Sequence, residues 1–343
     1  MDSQYFGDDR EAEKVGLTHE VMRRAAYYDL TSHRLTDKDT VLIVMPMFHI
    51  NAQELIIISI LLTDGKMVIA PKFSASKFWP QILENDVTWS SVVPTIVAIL
   101  LKNKKANAAF RPDHKLRFIR CASAILSVNR QKEFTERYRV PILEGYKMTE
   151  SCSQCTLNPL DKIKLGSVGK PFGTKVSLLI DNRPRNLSGQ IGEVLLKGKN
   201  VIISYADRDP NQDFIDGWLK TGDLGYFAAD GYLYLTGRSK ELINYGGHKI
   251  SPLKIENVLL QADYVQEAAA VGVTDQMFGE KIVVVVVLNR GTDQATAKKG
   301  LIQLLEKNLA RFERPQELIF TDHLPHSRVG KILRVQLRQE LSK

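Results

Sequence analysis

The feature that most constrains this chain is the alternation of short apolar strands with helical segments through its first hundred residues. Strands are predicted at 39–46, 66–70 and 89–93, and helices at 21–36, 77–85 and 94–102, with a further apolar segment of helical length at 51–62. Strands that alternate with helices are joined by crossovers and lie parallel in one sheet. The first part of the chain is therefore predicted to be α/β.

The pattern changes twice farther along the chain. After Gly166, short strands at 176–180, 192–198 and 231–237 are separated by Gly, Asp and Asn turns, which indicates an antiparallel or barrel-like part. From Lys240 onward, helices are predicted at 252–260 and 296–309 and strands at 265–273, 280–288 and 317–320. We therefore expect two domains, 1–239 and 240–343.

Composition excludes several classes of protein. The net charge is +8, but the basic residues are scattered and form no stripe with aromatic residues, so a nucleic-acid partner is not expected. The longest apolar runs are too short to span a bilayer, and no secretory leader opens the chain, so a cytoplasmic location is expected. The sequence does not indicate an oligomeric state.

Three cysteines, an odd number, argue against a disulfide framework. Cys152 and Cys155 form a CxxC pair without a second pair or a neighbouring histidine that would complete a zinc site. We interpret both as small side chains of the core or of a pocket wall.

The stretch 217–256 carries the most informative polar motifs. It contains TGD, GRSKE and GGHKISP at short spacings, and a Gly330–Lys331 dipeptide follows near the C-terminus. Asp223, expected on a tight turn after Gly222, offers two oxygens to ribose hydroxyls. Arg238 offers a planar charge to phosphate or ribose oxygens, and Lys331 a mobile charge to a developing anion. Together these side chains suit an anionic nucleotide.

With these motifs, the chain from about Leu17 onward resembles the superfamily of acyl-CoA synthetases, 4-coumarate–CoA ligases, luciferases and peptide-synthetase adenylation domains. The further segments that carry the resemblance are PMFH (46–49), KFSASKFW (72–79), VPT (93–95), RFIRCASAIL (117–126), EGYKMTES (144–151), GSVGKP (166–171) and GEVLLKG (192–198). The resemblance implies part of a large adenylating domain, with parallel β/α layers and a small barrel-like part, followed by a small α+β C-terminal domain.

The resemblance also implies a reaction. Such enzymes join a small carboxylic acid to AMP with MgATP, release pyrophosphate and then pass the acyl group to coenzyme A. Carried over to this chain, Thr149 donates its hydroxyl to phosphate, and Glu150 is the carboxylate associated with Mg²⁺. Lys331 neutralises charge between the substrate carboxylate and the α-phosphate. A single carboxylate suffices because Mg²⁺ takes its remaining ligands from water and phosphates.

The implied nucleotide contacts are Asp223 and Arg238 at the ribose and, in addition, Tyr146. His49 is placed near the acyl pocket and the pantetheine tunnel, although a hydrogen-bonded core histidine is an equal alternative.

The small domain is implied to rotate about Lys240, so that Lys331 leaves before the thiol arrives. Gly246 and Gly247 are implied to line the pantetheine tunnel, where only glycine lets a backbone approach a ligand closely. Lys249 belongs to the same group of cofactor-binding residues.

Two departures from the family pattern bear on function. Relatives carry a glycine-rich phosphate loop before VGLTHE, where this chain reads FGDDREAEK, which puts Arg10 and Glu13 in place of a loop glycine and lysine. We therefore expect an N-terminally truncated member with an altered phosphate loop and weak adenylation. The second departure is Lys147, which replaces a glycine beside the acyl pocket and either blocks it or favours an anionic acyl group.

Three hypotheses follow from these observations. The chain is a working acid–CoA ligase, an impaired relative that only binds nucleotide or coenzyme A, or an inert remnant. Small dicarboxylic or fatty acids are the substrates of the ligases that it resembles most.

Overall fold

A computed structural model describes residues 2–5, 13–124, 126–206, 209–327 and 331–342. The chain divides into two compact units, one comprising 1–221 with 226–235 and the other 222–225 with 236–343. The domain limits expected at residues 239 and 240 remain a prediction.

The strands are β1 (Asp2–Tyr5), β2 (Glu13–Gly16), β3 (Thr40–Ile43), β4 (Lys66–Ile69), β5 (Trp89–Val92), β6 (Phe118–Cys121), β7 (Ile142–Met148), β8 (Ser153–Leu157), β9 (Lys170–Pro171), β10 (Lys175–Ile180), β11 (Arg183–Arg185), β12 (Gly192–Lys197), β13 (Phe214–Ile215), β14 (Trp218–Phe227), β15 (Leu233–Arg238), β16 (Ile243–Tyr245), β17 (His248–Ile250), β18 (Val265–Asp275), β19 (Gly279–Leu288) and β20 (Glu317–Thr321).

The α-helices are α1 (His19–Ser32), α2 (Ser59–Leu61), α3 (Ala75–Glu84), α4 (Pro94–Lys102), α5 (Lys104–Ala109), α6 (Val128–Tyr138), α7 (Pro210–Asp213), α8 (Pro252–Leu259), α9 (Gln294–Asn308) and α10 (Arg334–Leu341). A π-helix covers Asn51–Ile58, and 3₁₀ turns cover Thr149–Ser151, Ser239–Glu241 and Arg311–Glu313.

The predicted parallel sheet is present in the first unit. Its described strands have the order β4-β3-β5-β6-β7-β8-β9, with parallel pairing from β4 to β7 and antiparallel pairing beyond. Strands β3, β5 and β6 are buried along their whole length, because apolar side chains cover both faces of a parallel sheet. The carboxyl ends of β3, β5, β6 and β7 share one edge, where ligands of open α/β sheets bind.

The apolar segment of helical length at 51–62 is a π-helix that continues into α2. Such widened turns occur frequently at functional sites. Here the π-helix buries two polar side chains, Asn51 and Glu54, together with its apolar residues. Hydrophobic periodicity does not distinguish a π-turn from an α-turn, so the sequence does not reveal this feature.

The predicted change to antiparallel strands after Gly166 is also present. Strands β11, β10, β12, β14 and β13 follow one another in a second sheet, and β15 pairs with β14. The register of β10 and β12 joins Val176 to Leu196 and Leu178 to Val194. These four side chains lie in one apolar core, which is why the alternation of apolar residues predicted the strands.

The second unit is the expected α+β structure. Strands β17, β16, β19 and β18 form an antiparallel series, and β20 lies parallel to β19. Alternate residues of the valine run 283–287 enter two different apolar clusters, one with α8 and α9 and one with α10. Helix α10 is absent from the predicted elements because its sequence is mostly polar, and Leu337 is its one fully buried residue among those described.

We expect limited proteolysis with a lysine-specific protease to cut first after Lys240. This residue lies exposed on a 3₁₀ turn of three residues, and short polar turns with few backbone hydrogen bonds are preferred cleavage sites. Lys240→Gln should remove the early fragment that begins at Glu241, as judged by mass spectrometry. Early cleavage at another lysine in both proteins would contradict a proteolytic boundary here.

Candidate active site

The first element of the site is the turn that carries Thr149 and Glu150. Strand β7 ends at Met148, and the chain then makes a 3₁₀ turn in which the Cys152 amide donates to the Thr149 carbonyl at 2.8 Å. Cys152 closes the turn with a φ of +54°. Thr149 and Glu150 are both buried. The turn thus holds a hydroxyl and a carboxylate at the carboxyl edge of the parallel sheet.

The carboxylate of Glu150 is oriented by a residue that the sequence did not reveal. The Tyr205 hydroxyl donates to Glu150 Oε1 at 2.9 Å, and the Ile202 amide donates to the Glu150 carbonyl at 2.9 Å. Tyr205 is buried and lies 55 positions later in the chain. A fixed, hard carboxylate fits Mg²⁺. In the described residues no cluster of three acidic, histidine or cysteine side chains is present, so phosphates and water would complete the metal's ligand set.

His49 follows strand β3 at the same edge. Its Nδ1 accepts from the Asn51 amide at 3.2 Å, which leaves the proton of a neutral ring on Nε2. Burial, reinforced by the positive charge of Lys147, lowers the pKa of His49 to about 4. His49 is therefore neutral at physiological pH, and its ring is only partly buried.

Tyr146 and Lys147 come just before the Thr149 turn. Tyr146 is buried, and its hydroxyl lies 3.9 Å from Met148 Sδ. The Lys147 ammonium is also buried, and burial together with the charge of Arg120 moves its pKa well below the usual range. The ammonium of Lys147, the residue that replaces a glycine of the family pattern, thus lies inside the protein and not on its surface.

In the second unit the two predicted ribose residues meet. Arg238 Nε donates to Asp223 Oδ1 at 2.8 Å, with Asp223 buried and the Arg238 side chain about half exposed. The expectation that Asp223 lies on a tight turn is wrong, since it belongs to the ten-residue strand β14. Gly222 has a φ of +74° within this strand, and its carbonyl accepts from Ser239 Oγ at 3.2 Å.

The GGHK motif forms the hairpin between β16 and β17. Gly246 and Gly247 are its two turn residues, with φ values of +55° and +83°, as a type I′ turn requires. No atom of the described residues lies within 4 Å of a side chain built at Gly247. The turn geometry therefore explains both glycines without a ligand. Lys249 is exposed on β17, and its role stays a prediction, as does that of Lys240 as a hinge.

Lys331 lies between β20 and α10. Its amide donates to Ser327 Oγ at 3.1 Å, and the Ser327 amide donates to the Lys331 carbonyl at 2.8 Å. Burial lowers the pKa of the Lys331 ammonium. Gly330 lies outside the described residues, as do Gly7 and Arg10 of the altered phosphate loop and the side chain of Glu13.

Arg334 is a second residue that the sequence did not reveal. Its Nη2 donates to both oxygens of Glu256, at 2.8 and 2.7 Å, and its Nη1 lies 3.6 Å from Glu241 Oε2. Glu256 also accepts from the Ala270 amide at 2.9 Å. Arg334 thus joins the segment after Lys331 to helix α8 and to the turn that contains Lys240. The sequence signal that could have revealed Arg334 is its position three residues after Lys331.

The CxxC pair lies in the core, as interpreted from the sequence. Cys152 and Cys155 are fully buried among apolar residues of the first unit, and Cys155 Sγ donates to Ser151 Oγ at 3.0 Å. Burial raises the pKa of the Cys152 thiol. In the described part of the chain, every helix is too short or too polar to cross a bilayer.

Glu150 beside Thr149 in the first unit, and the Asp223–Arg238 pair and Lys331 in the second, fit the class of adenylate-forming enzymes that the sequence motifs imply. Comparison with known families agrees: residues 15–206 match the AMP-binding enzyme family, and residues 254–331 match the AMP-binding enzyme C-terminal domain. The chain belongs to the AMP-binding enzyme family.

Similar proteins are CoA ligases. An oxalate–CoA ligase of Saccharomyces cerevisiae is 36% identical over 335 residues, which are 96% of this chain and 61% of that protein. A sulfoacetate–CoA ligase of Cupriavidus necator is 39% identical over 313 residues, 89% of this chain and 60% of that protein. The ATP-bound structure of an RpMatB–BxBclM chimera superposes with a TM-score of 0.91 at 27% identity, covering 100% of this chain and 67% of that one.

Proposed function

We propose that this chain acts as an AMP-forming carboxylic acid–CoA ligase, with ATP, Mg²⁺ and coenzyme A. The observation that carries the proposal is the match to both family domains, together with a buried Glu150, a paired Asp223 and Arg238, and a partly buried Lys331. The chain spans about 60% of the length of the two relatives named above, both of which are CoA ligases.

In the first half-reaction, an oxygen of the substrate carboxylate attacks the α-phosphorus of ATP, and the bond to the β-phosphate breaks as pyrophosphate leaves. Mg²⁺ would neutralise the phosphates, and Glu150, held by Tyr205, would be its protein ligand. Thr149 would donate its hydroxyl to a phosphate oxygen. Lys331 would stabilise the negative charge that builds up between carboxylate and phosphate.

In the second half-reaction, the sulfur of coenzyme A attacks the acyl carbon and AMP leaves. Lys331 must then make room for the thiol, which motivates a domain rotation about Lys240, between the domains 1–239 and 240–343. Gly246, Gly247 and Lys249 would contact the pantetheine arm, with Tyr146 at the nucleotide and His49 near the acyl group. A cytoplasmic location is part of the proposal, because the three free thiols suit a reducing compartment.

The proposal is tested by measuring AMP formation from ATP with a set of carboxylic acids, with and without coenzyme A. We expect at least one acid to give AMP, pyrophosphate and a CoA thioester in equal amounts. Binding of AMP without any turnover would instead support the nucleotide-binding alternative. The acidic residues of the altered loop, namely Asp8, Asp9, Glu11 and Glu13, favour that alternative because they repel a triphosphate.

The ribose pair gives a separate prediction. Asp223→Ala and Arg238→Ala should each weaken AMP binding by about 1–3 kcal/mol, the range for hydrogen bonds to charged groups. Isothermal titration calorimetry measures the change. Glu317→Ala, which removes an exposed ion pair with Lys281 in the same unit, is the control and should leave the affinity unchanged. Equal affinities for all four proteins would place the ribose elsewhere.

A further inference from the structure

The carboxyl edge of the parallel sheet contains two buried basic side chains on adjacent strands, whose cationic forms a bound anion would favour. Arg120 lies on β6 and Lys147 on β7, and the two strands are paired in parallel. A side chain built at Gly145 would come within 3.3 Å of Arg120 Nη2, so the guanidinium lies against the backbone two residues before Lys147. Lys147 in turn precedes Thr149 and Glu150 by two and three residues.

Several donors of these cations lack acceptors within the described residues. Arg120 is fully buried, and its Nη1 makes a long hydrogen bond of 3.5 Å to Asn51 Oδ1. Its Nε and Nη2, and the Nζ of Lys147, are buried without a hydrogen-bond partner in the part of the chain that the structure describes. Buried charged donors without acceptors destabilise a fold by several kcal/mol, so such an arrangement needs a functional reason.

The charged and titratable groups that face the two cations come from several elements. Asp29 of α1 and Glu54 of the π-helix attract both cations, and Cys121 lies beside them. Neutral His49 also faces Lys147. The two carboxylates offset the positive charge through space, but they accept no hydrogen bond from the Lys147 ammonium. This cluster is therefore distinguished by hydrogen-bond donors without acceptors, and not by an excess of positive charge.

Anionic oxygens are the acceptors that such donors bind best. A carboxylate or sulfonate presents two or three charged oxygens, and hydrogen bonds between ionised partners are about twice as strong as neutral ones. Because consecutive Cα atoms are about 3.8 Å apart, the Lys147 backbone is at most about 11 Å from that of Glu150. A group bound by Lys147 would therefore lie in the same part of the site as a carboxylate that reacts near Glu150.

We propose that Lys147 and Arg120 bind a second negative group of the acid substrate, and that Lys147 is the specificity-determining residue for short acids with two anionic groups. The inference rests on the proposed ligase function and specifies its substrate class. An unbranched monocarboxylic acid would place methyl or methylene groups against the buried ammonium. Sites built for hydrogen bonding reject analogues that lack the bonding group, here by roughly 10²-fold or more.

The test compares matched acids in the AMP-formation assay, namely malonate with propionate and succinate with butyrate. Wild type is expected to favour the dianionic member of each pair by roughly 10²-fold in kcat/KM, mainly through KM. Lys147→Met keeps the length of the side chain and should abolish this preference, whereas Lys147→Arg should retain part of it. Lys175→Met, at an exposed position of β10, is the control and should behave as wild type.

Calorimetric titration of malonate and propionate into the same four proteins separates the two proposals. Malonate binding that disappears in Lys147→Met, without turnover of any acid by wild type, would support the anion site and refute the ligase function. Turnover of malonate and propionate with equal kcat/KM by wild type, unchanged in Lys147→Met, would refute the anion site and support the ligase. Circular dichroism verifies that each variant is folded.

Discussion

Lys331→Ala is expected to lower the rate of acid-dependent pyrophosphate exchange by about 10²–10³, the usual loss when one preorganised charge-stabilising group is removed. Lys331 is partly buried, and burial lowers the pKa of its ammonium, so its charge is less screened by solvent than that of an exposed lysine. It is therefore suited to stabilise the charge that develops between carboxylate and α-phosphate. Exchange of labelled pyrophosphate into ATP measures this half-reaction alone.

The second half-reaction provides an internal control for this variant. Transfer of the acyl group from a synthetic acyl-adenylate to coenzyme A should proceed in Lys331→Ala at close to the wild-type rate, because Lys331 acts before the thiol enters. Lys298→Ala changes an exposed lysine of α9 and should alter neither half-reaction. Exchange that is equally slow with and without Lys331 would contradict this role and would show that the phosphates are not held in line.

Glu144→Gln is expected to change the pH dependence of stability. Glu144 is buried on β7, where it accepts a hydrogen bond from the Leu126 amide at 3.4 Å, and burial raises its pKa to about 8. The folded state therefore holds a proton that the unfolded state releases near pH 4.5. Its contribution to stability is complete below pH 4.5 and is lost as the pH rises toward 8.

The expected loss is about 3 kcal/mol between pH 5 and 7.5, since each pH unit in this window costs about 1.36 kcal/mol. Glu144→Gln should remove this loss and make the protein more stable than wild type at pH 8. Urea unfolding of the first unit at several pH values measures the difference. Glu84→Gln, at an exposed helix end, is the matched control, and identical pH profiles for all three proteins would show that Glu144 ionises in the folded state as in water.

Much of the fold could be predicted because the burial of each strand is reflected in its local pattern of apolar residues. The burial of whole strands such as 40–43 and 89–92 produces continuous apolar runs, and the alternation in 176–180 reflects one buried face. The motifs of the family were recognisable for the same reason, because each is a contiguous stretch with polar residues at fixed spacings. The structure brings Asp223 and Arg238 together, although the backbone at Asp223 is a strand instead of the predicted turn, and their contact with ribose stays a prediction.

By itself, the sequence determined the order of strands and helices, the change from parallel to antiparallel pairing and the set of residues suited to nucleotide chemistry. Only the tertiary structure decided which distant side chains support them. Tyr205 reaches Glu150 across 55 positions, and Arg334 reaches Glu256 across 78. It also decided that the basic groups of Lys147 and Arg120 are both buried and influence each other electrostatically. Such contacts depend on how strands and helices pack in three dimensions, and the spacing of residues along one chain does not encode that packing directly.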